Sequence, residues 1–279
     1  MESSGHIQNV QDLFDVALQV NAAFKGQIWW RGQRDQGWHL TPSVFREQRW
    51  TESESSYVER FQHKAPSRHQ SVPAYEDRAS WLFLMQHYRL PTRLLDWTES
   101  PLVAAFFAAT VDKAAMDHPS AVQDSDGALF ALSPYRLNEA QVDDSRLIMP
   151  SDELAKPLIE RAFDSGLPAK EYVVAVRPME VDLRLLVQLS VFTIHGMGTG
   201  IDTFPNHPMF LRKYDIPART KAPLREQLKY LGIRDSSIFP DLEHLAADVA
   251  STTFKKSPPS PHDSPRMAGI APRDPEESS

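Results

Sequence analysis

Between Gln86 and Ala108 the chain reads QHYRLPTRLLDWTESPLVAAFFA, which sets His87, Arg89, Arg93, Asp96, Thr98 and Glu99 in close succession ahead of an almost unbroken apolar run. Imidazole and carboxylate side chains move protons, and guanidinium forks match phosphate or carboxylate. The apolar run opens with Ser100-Pro101. A serine hydroxyl can accept a bond from a free helix N–H, and proline loses nothing at the first helical position. The spacing therefore predicts a polar cluster in a loop or short strand that ends at the N-terminus of a buried helix. Free N–H groups and a partial positive charge there suit an anionic ligand such as phosphate. The competing reading is a packed core segment whose polar residues satisfy one another.

A second group of this kind is Trp30-Arg31-Gly32-Gln33, at the end of an apolar and aromatic run. Arg31 presents a planar fork of donors, Gly32 lets a ligand approach the backbone, and Gln33 offers both a donor and an acceptor. Alternatively Arg31 is buried and paired with Asp96 to fix the fold. Arg31, Arg34, Arg46, Arg49, Arg89 and Arg93 all lie in the N-terminal third and allow a local basic groove, although scattered surface arginines look the same in sequence.

Other chemistries are missing. The chain has no G-x-x-x-x-G-K-[ST] loop, no G-x-G-x-x-G after a strand, no H-E-x-x-H and no G-x-S-x-G. Its ten histidines show no ligand spacing, so no metal is expected. With no cysteine, disulfides, thiolate metal sites and a cysteine nucleophile are excluded. Gly196-Met197-Gly198-Thr199-Gly200 reads as a flexible turn rather than a phosphate cradle.

The elements that must position these residues follow from periodicity and punctuation. Val10 to Phe24 is an amphipathic helix stopped at Lys25-Gly26, where glycine can turn left-handed. Gln27 to Gln33 is a strand. Helices are expected over Glu52–Ala65, Asp77–Tyr88, Pro101–Ala115, Asp152–Phe163, Ala222–Leu231 and Pro240–Val249. Loops are expected at Ser67–Pro73 and Asp117–Asp126, and strands at Gly127–Leu132, Tyr172–Val176, Leu185–Ile194 and Met209–Tyr214. No internal repeat or linker interrupts residues 8–250, so the organisation is one α+β domain. It is flanked by a disordered N-terminus (1–7) and a disordered Pro/Ser-rich tail (251–279).

The 279 residues are 41% hydrophobic and 24% charged, an ordinary globular composition. A net charge of -7 argues against a surface that is wholly a nucleic-acid footprint. No apolar stretch approaches the roughly 20 residues that span a bilayer. The first residues, MESSGHIQNV, lack the pattern of a signal peptide, so a cytoplasmic location is expected.

WRGQ, Pro42–Arg46 (PSVFR) and the Gln86–Ala108 stretch together resemble the FRG domain, a family named for a Phe-Arg-Gly motif in which this chain has Trp30 for the Phe. The resemblance continues through Gln188–Gly196, Leu231–Ile233 and Phe239–Leu242, and so covers residues 8–250. The family is remotely similar to ADP-ribosyltransferases of the Arg–Ser/Thr–Glu type. That similarity implies a central mixed or antiparallel split sheet flanked by helices, with NAD as co-substrate and ADP-ribose passed to a nucleophile, most fittingly a base in single-stranded DNA or RNA. It also implies a toxin-like or phage-defence role with a neutralising partner protein.

Carried over residue by residue, the resemblance gives Arg31 the NAD phosphates or ribose and Thr98 and Ser100 the nicotinamide ribose; with Gln188 or His87 set to hold the acceptor, Arg31, Thr98, Gln188 and His87 are the expected catalytic residues. Arg31, Gly32, Gln33, Thr98, Ser100 and Phe192 would hold NAD, and Arg34, Trp38, Arg93 and Asp96 the second substrate. Trp38 or Phe192 would stack on nicotinamide or an unpaired base. The chain departs from the family pattern at the Q/E-x-E motif, where it reads Gln188-Leu189-Ser190. A carboxylate would then have to come from Glu99, Asp96 or Glu54. The alternative is a non-catalytic ligand- or nucleic-acid-binding signalling module of a defence system.

Overall fold

The structure, a computed structural model, describes residues 1–69, 71–110, 125–178 and 186–253. Its centre is a six-stranded sheet: β1 (Trp29–Gln33), β2 (Leu94–Thr98), β3 (Gly127–Leu132), β4 (Val173–Val176), β5 (Ser190–His195) and β6 (Leu211–Ile216). The strand order is β4-β5-β2-β1-β3-β6, and every pairing is antiparallel. The chain is thus α+β, with one antiparallel sheet and helices around it.

Alternation along the strands sorts side chains onto two faces. On one face, Trp30, Leu129 and Ala131 pack with α1 (Val10–Phe24), α5 (Pro101–Ala108) and α8 (Ala218–Tyr230). Farther along the same face, Leu94, Val174, Phe192 and Ile194 pack with α4 (Arg78–His87) and α7 (Lys156–Phe163). The opposite face, with Trp29, Trp97, Phe130 and Val191, is covered by Leu40, by Leu137 of α6 (Pro134–Val142), and by Ile201, Phe204 and Phe210. Remaining helices are α2 (Gln48–Glu52), α3 (Glu54–Lys64), α9 (Asp235–Ile238) and α10 (Leu242–Thr253).

Local chemistry accounts for the helix ends. Ser100 caps α5 by accepting from Val103 N at 3.3 Å, with Pro101 in the first turn, as the Ser-Pro pair predicts. Asn9 caps α1, but the left-handed residue that ends it is Lys25 (φ 53°), one position before the expected glycine. The predicted Glu52–Ala65 helix is divided at Ser53 into α2 and α3. Helix α6 was not expected, although Ser133-Pro134 carries the same start signal as Ser100-Pro101.

Two corrections concern segments assigned to the wrong state. Residues 1–7 were expected to be disordered, yet Ser4 N donates to Lys213 O at 2.7 Å, Ile7 N donates to Asp215 O at 2.9 Å, and Ile7 is fully buried. An exposed edge of β6 recruits this segment because it offers otherwise unpaired backbone groups. The strand expected from Leu185 begins only at Ser190, since Leu189 has a left-handed backbone (φ 48°) that strand geometry excludes. Helix α5 ends at Ala108, short of the expected Ala115; the rest of that expected helix beyond residue 110, most of the loop to Asp126, and the tail beyond Thr253 lie outside the described residues.

Candidate functional site

Strands β1 and β2 are neighbours in the sheet, but their ladder is confined to one pair, Trp30 and Thr98. Beyond it the two backbones do not pair with each other, and side chains from both strands reach a shared cavity of about 480 Å³. Arg31 and Gln33 enter from β1 and Asp96 and Thr98 from β2; Val103, Ala104 and Phe107 of α5, with Thr110 just beyond it, form one flank, and Gln188 and Ser190 close one end. Arg31 Nη1 bridges the gap by donating to the Asp96 carbonyl at 2.6 Å.

The opposite wall is a relay of polar contacts that joins two of the sequence motifs. Ser43 Oγ accepts from Thr92 N at 3.2 Å, Thr92 Oγ1 donates to Gln86 Oε1, and Gln86 Nε2 donates to Asp96 Oδ2 at 2.7 Å. Tyr57 of α3 donates to the Pro91 carbonyl at 2.6 Å. The PSVFR and QHYRLPTR segments therefore act together: one holds the loop of the other, and Thr92 of that loop fixes Gln86 of α4, which orients the Asp96 carboxylate.

The groove is cationic. Four arginines line it (Arg31, Arg34, Arg46 and Arg89), and among the described lining residues Asp96 is the only carboxylate. Arg34 lies 5.2 Å over the ring of Trp38, which is 45% exposed. Burial lowers Arg31 to about 10, with Asp96 opposing and Arg46 reinforcing the shift, so Arg31 remains a cation at neutral pH. Burial also lowers Arg46, again opposed by Asp96. Two groups are left unmet in this environment. Arg31 Nε and both amide atoms of Gln33 are buried with no hydrogen-bond partner, whereas most buried polar atoms in folded proteins are bonded. An anion in the groove would compensate the partly desolvated charge of Arg31.

Eight of the expected site residues line this groove: Arg31, Gly32, Gln33, Arg34, Trp38, Asp96, Thr98 and Gln188. Several have duties that the sequence did not announce. A Cβ on Gly32 would lie 1.8 Å from the Ala104 carbonyl oxygen and 2.6 Å from Ala108 N, so the backbone that approaches this glycine is helix α5, not a ligand. Thr98 Oγ1 donates to the Gln188 carbonyl at 2.6 Å and accepts from Ser100 N at 3.0 Å, and Gln188 Nε2 donates to the Ile238 carbonyl at 3.0 Å.

Four expected residues do not line it. Arg93 is buried in a bidentate ion pair with Glu54, Nε to Oε1 at 3.0 Å and Nη2 to Oε2, and serves the fold. Phe192 shares a face with Ser190 and pairs with Asp96, but it lies two residues farther along β5, under α4, where it is fully buried against Phe83 with ring centroids 5.2 Å apart. Ser100 spends its hydroxyl on the helix cap. His87 sits in the last turn of α4 with its ring edge-on to Tyr88 at 4.8 Å. The groove runs along the flank of α5 rather than at its N-terminus, so arginines, and not the free N–H groups expected there, line it.

The carboxylate question narrows in the same way. Glu54 is committed to Arg93, and Glu99 accepts from Arg177 at 2.8 Å and from Gln27. Ser190 stands where a Q-x-E glutamate would be, on the groove wall. Arg46 and Arg89, expected only as members of a local basic groove, line it, whereas Arg49 is not among the lining residues; Gln86 had no role assigned from the sequence. Arg89 carries a signal visible only in the fold, a left-handed backbone (φ 61°) that holds it at the groove rim. Among the described residues no group of three or more His, Asp or Glu could hold a metal ion, and no helix is long and apolar enough to cross a membrane.

Residues 26–117 match the family model of the FRG domain. The match spans about a third of the chain, from β1 past α5, and includes every groove residue except Gln188 and Ser190. No curated protein and no solved structure matches the chain significantly.

Proposed function

The chain carries an FRG domain, and from that premise we propose that its groove binds NAD and transfers ADP-ribose to a nucleophile, a base of single-stranded nucleic acid fitting best. The observation that carries this reading is the half-buried Arg31 guanidinium, whose Nε has no hydrogen-bond partner, in the wall of a cavity lined by three further arginines and a single carboxylate. Bound NAD would supply a ribose carbon whose bond to nicotinamide breaks, the bonding electrons leaving with the neutral ring. Arg31, with Arg46 above it, holds the pyrophosphate. Asp96, oriented by Gln86, offers negative charge to the ribose and takes the acceptor's proton as the new bond forms. Thr98 and Gln188 position the wall rather than react. Trp38 provides an exposed ring for an unpaired base, beside Arg34.

The test is nicotinamide release from NAD by purified protein, with and without single-stranded DNA or RNA, for wild type, Arg31→Ala and Asp96→Asn. Release that needs both side chains, with a mass gain on the oligonucleotide, supports transfer. A second reading, a non-catalytic binding module, is favoured by Ser190 on the groove wall in place of the family's glutamate. Retained NAD binding with no nicotinamide release from folded protein would select it.

A further inference from the structure

We propose that Gln33 reads an amide-like edge of the groove's ligand, a planar group presenting a donor next to an acceptor. The inference rests on the nucleotide-binding reading above and deepens it. Gln33 is 3% exposed and lines the groove, and neither Nε2 nor Oε1 has a partner. Its backbone is fixed by the β1–β3 ladder, where it pairs with Ala128. It shares a strand face with Arg31, roughly 7 Å away by strand spacing.

A carboxamide has one acceptor and two donors and no charge. A phosphate or carboxylate would satisfy the donors and leave Oε1 unmet, and an ammonium would do the reverse. Only a group with both functions side by side answers both atoms. Within a dinucleotide carrying its phosphates on Arg31, two groups qualify: the nicotinamide carboxamide and the donor–acceptor edge of adenine. The Gln33 amide can turn over and present its two atoms in either order, so the geometry accepts both, and the experiment separates them.

Binding of ribose 5-phosphate, nicotinamide mononucleotide and ADP is measured by calorimetry on the full chain, for wild type and the near-isosteric Gln33→Met. Ribose 5-phosphate, which lacks such an edge, should bind both proteins equally. Gln33→Met should weaken either the nicotinamide nucleotide or ADP by about tenfold or more, the loss expected when a ligand's buried polar edge goes unanswered. Ligand-free Gln33→Met should melt at or above wild type, because an unmet buried amide is removed. Equal affinities for all three ligands, or a lower melting temperature for the variant, would show that Gln33 is satisfied by solvent or by the fold, and would overturn the proposal. If wild type binds none of the three, the nucleotide reading fails with it.

Discussion

Gly32→Ala separates the two roles that glycine can have beside Arg31. An added Cβ would stand 1.8 Å from Ala104 O, 2.6 Å from Ala108 N and 2.9 Å from Ala104 C. Non-bonded carbon and oxygen approach to roughly 3.3 Å, so α5 would have to retreat by about 1.5 Å. It has nowhere to go, since Ala104, Ala105 and Ala108 are fully buried and α1 and α8 pack behind it. Overpacking typically costs about 1–3 kcal/mol, and rigid helix backbone as the obstacle sets the expectation at about 3 or above. At about 2–4 °C per kcal/mol for a chain of this size, the melting temperature should fall by roughly 6–12 °C. Scanning calorimetry beside Gly232→Ala reads this directly, because Gly232 has φ +82° but open space around it and should lose only about 1 kcal/mol. A Gly32→Ala protein that melts within about 2 °C of wild type yet no longer binds pyrophosphate would refute the packing argument and return Gly32 to the ligand.

Three further outcomes are expected. Arg93→Met should cost about 3–5 kcal/mol in urea unfolding because Glu54 is left buried and unpaired, and adding Glu54→Leu should recover most of it. His195, lowered to about 3 from 6.5 by burial and by Arg31 and Arg93, stays neutral when folded. Below pH 6.5 the unfolded chain binds a proton that the folded one refuses, so stability falls as pH falls toward 3, by up to about 1.4 kcal/mol per pH unit. Urea midpoints at pH 7, 6 and 5 should drop less steeply for His195→Gln, and parallel curves would contradict the assignment. Finally, Arg89→Gln at the exposed rim should leave the melting temperature unchanged while reducing the salt slope of single-strand binding by about 0.7, which a titration across ionic strengths would detect.

Much of the groove was legible before any coordinates. Arg31, Gln33, Asp96 and Thr98 stood out because their types are costly to bury without purpose, and the structure gathers them around one cavity. The α5 start at Ser100-Pro101 was readable because capping is a contact between residues three apart. Other residues misled for the complementary reason. Arg93 and Arg31 are alike in sequence, each in a motif with a nearby acid, but Glu54 lies thirty-nine positions from Arg93 and claims it completely. Phe192 was assigned to the ligand because its residue type stacks well, and its position along β5 puts it under α4 instead.

By itself the sequence determined what is local: which stretches are helices or strands, where caps stop them, and which side chains carry charge into the N-terminal half. Hydrogen bonds and periodicity within a few residues are enough for that. Tertiary structure alone decided that the β1–β2 ladder breaks after Trp30 and Thr98, opening the groove, and that α5 rests on Gly32. Both depend on contacts between segments more than sixty residues apart, and no pattern of neighbouring side chains encodes that Arg93 is buried against Glu54 while Arg31, on the groove wall, meets Asp96 at 3.9 Å and keeps an unbonded Nε.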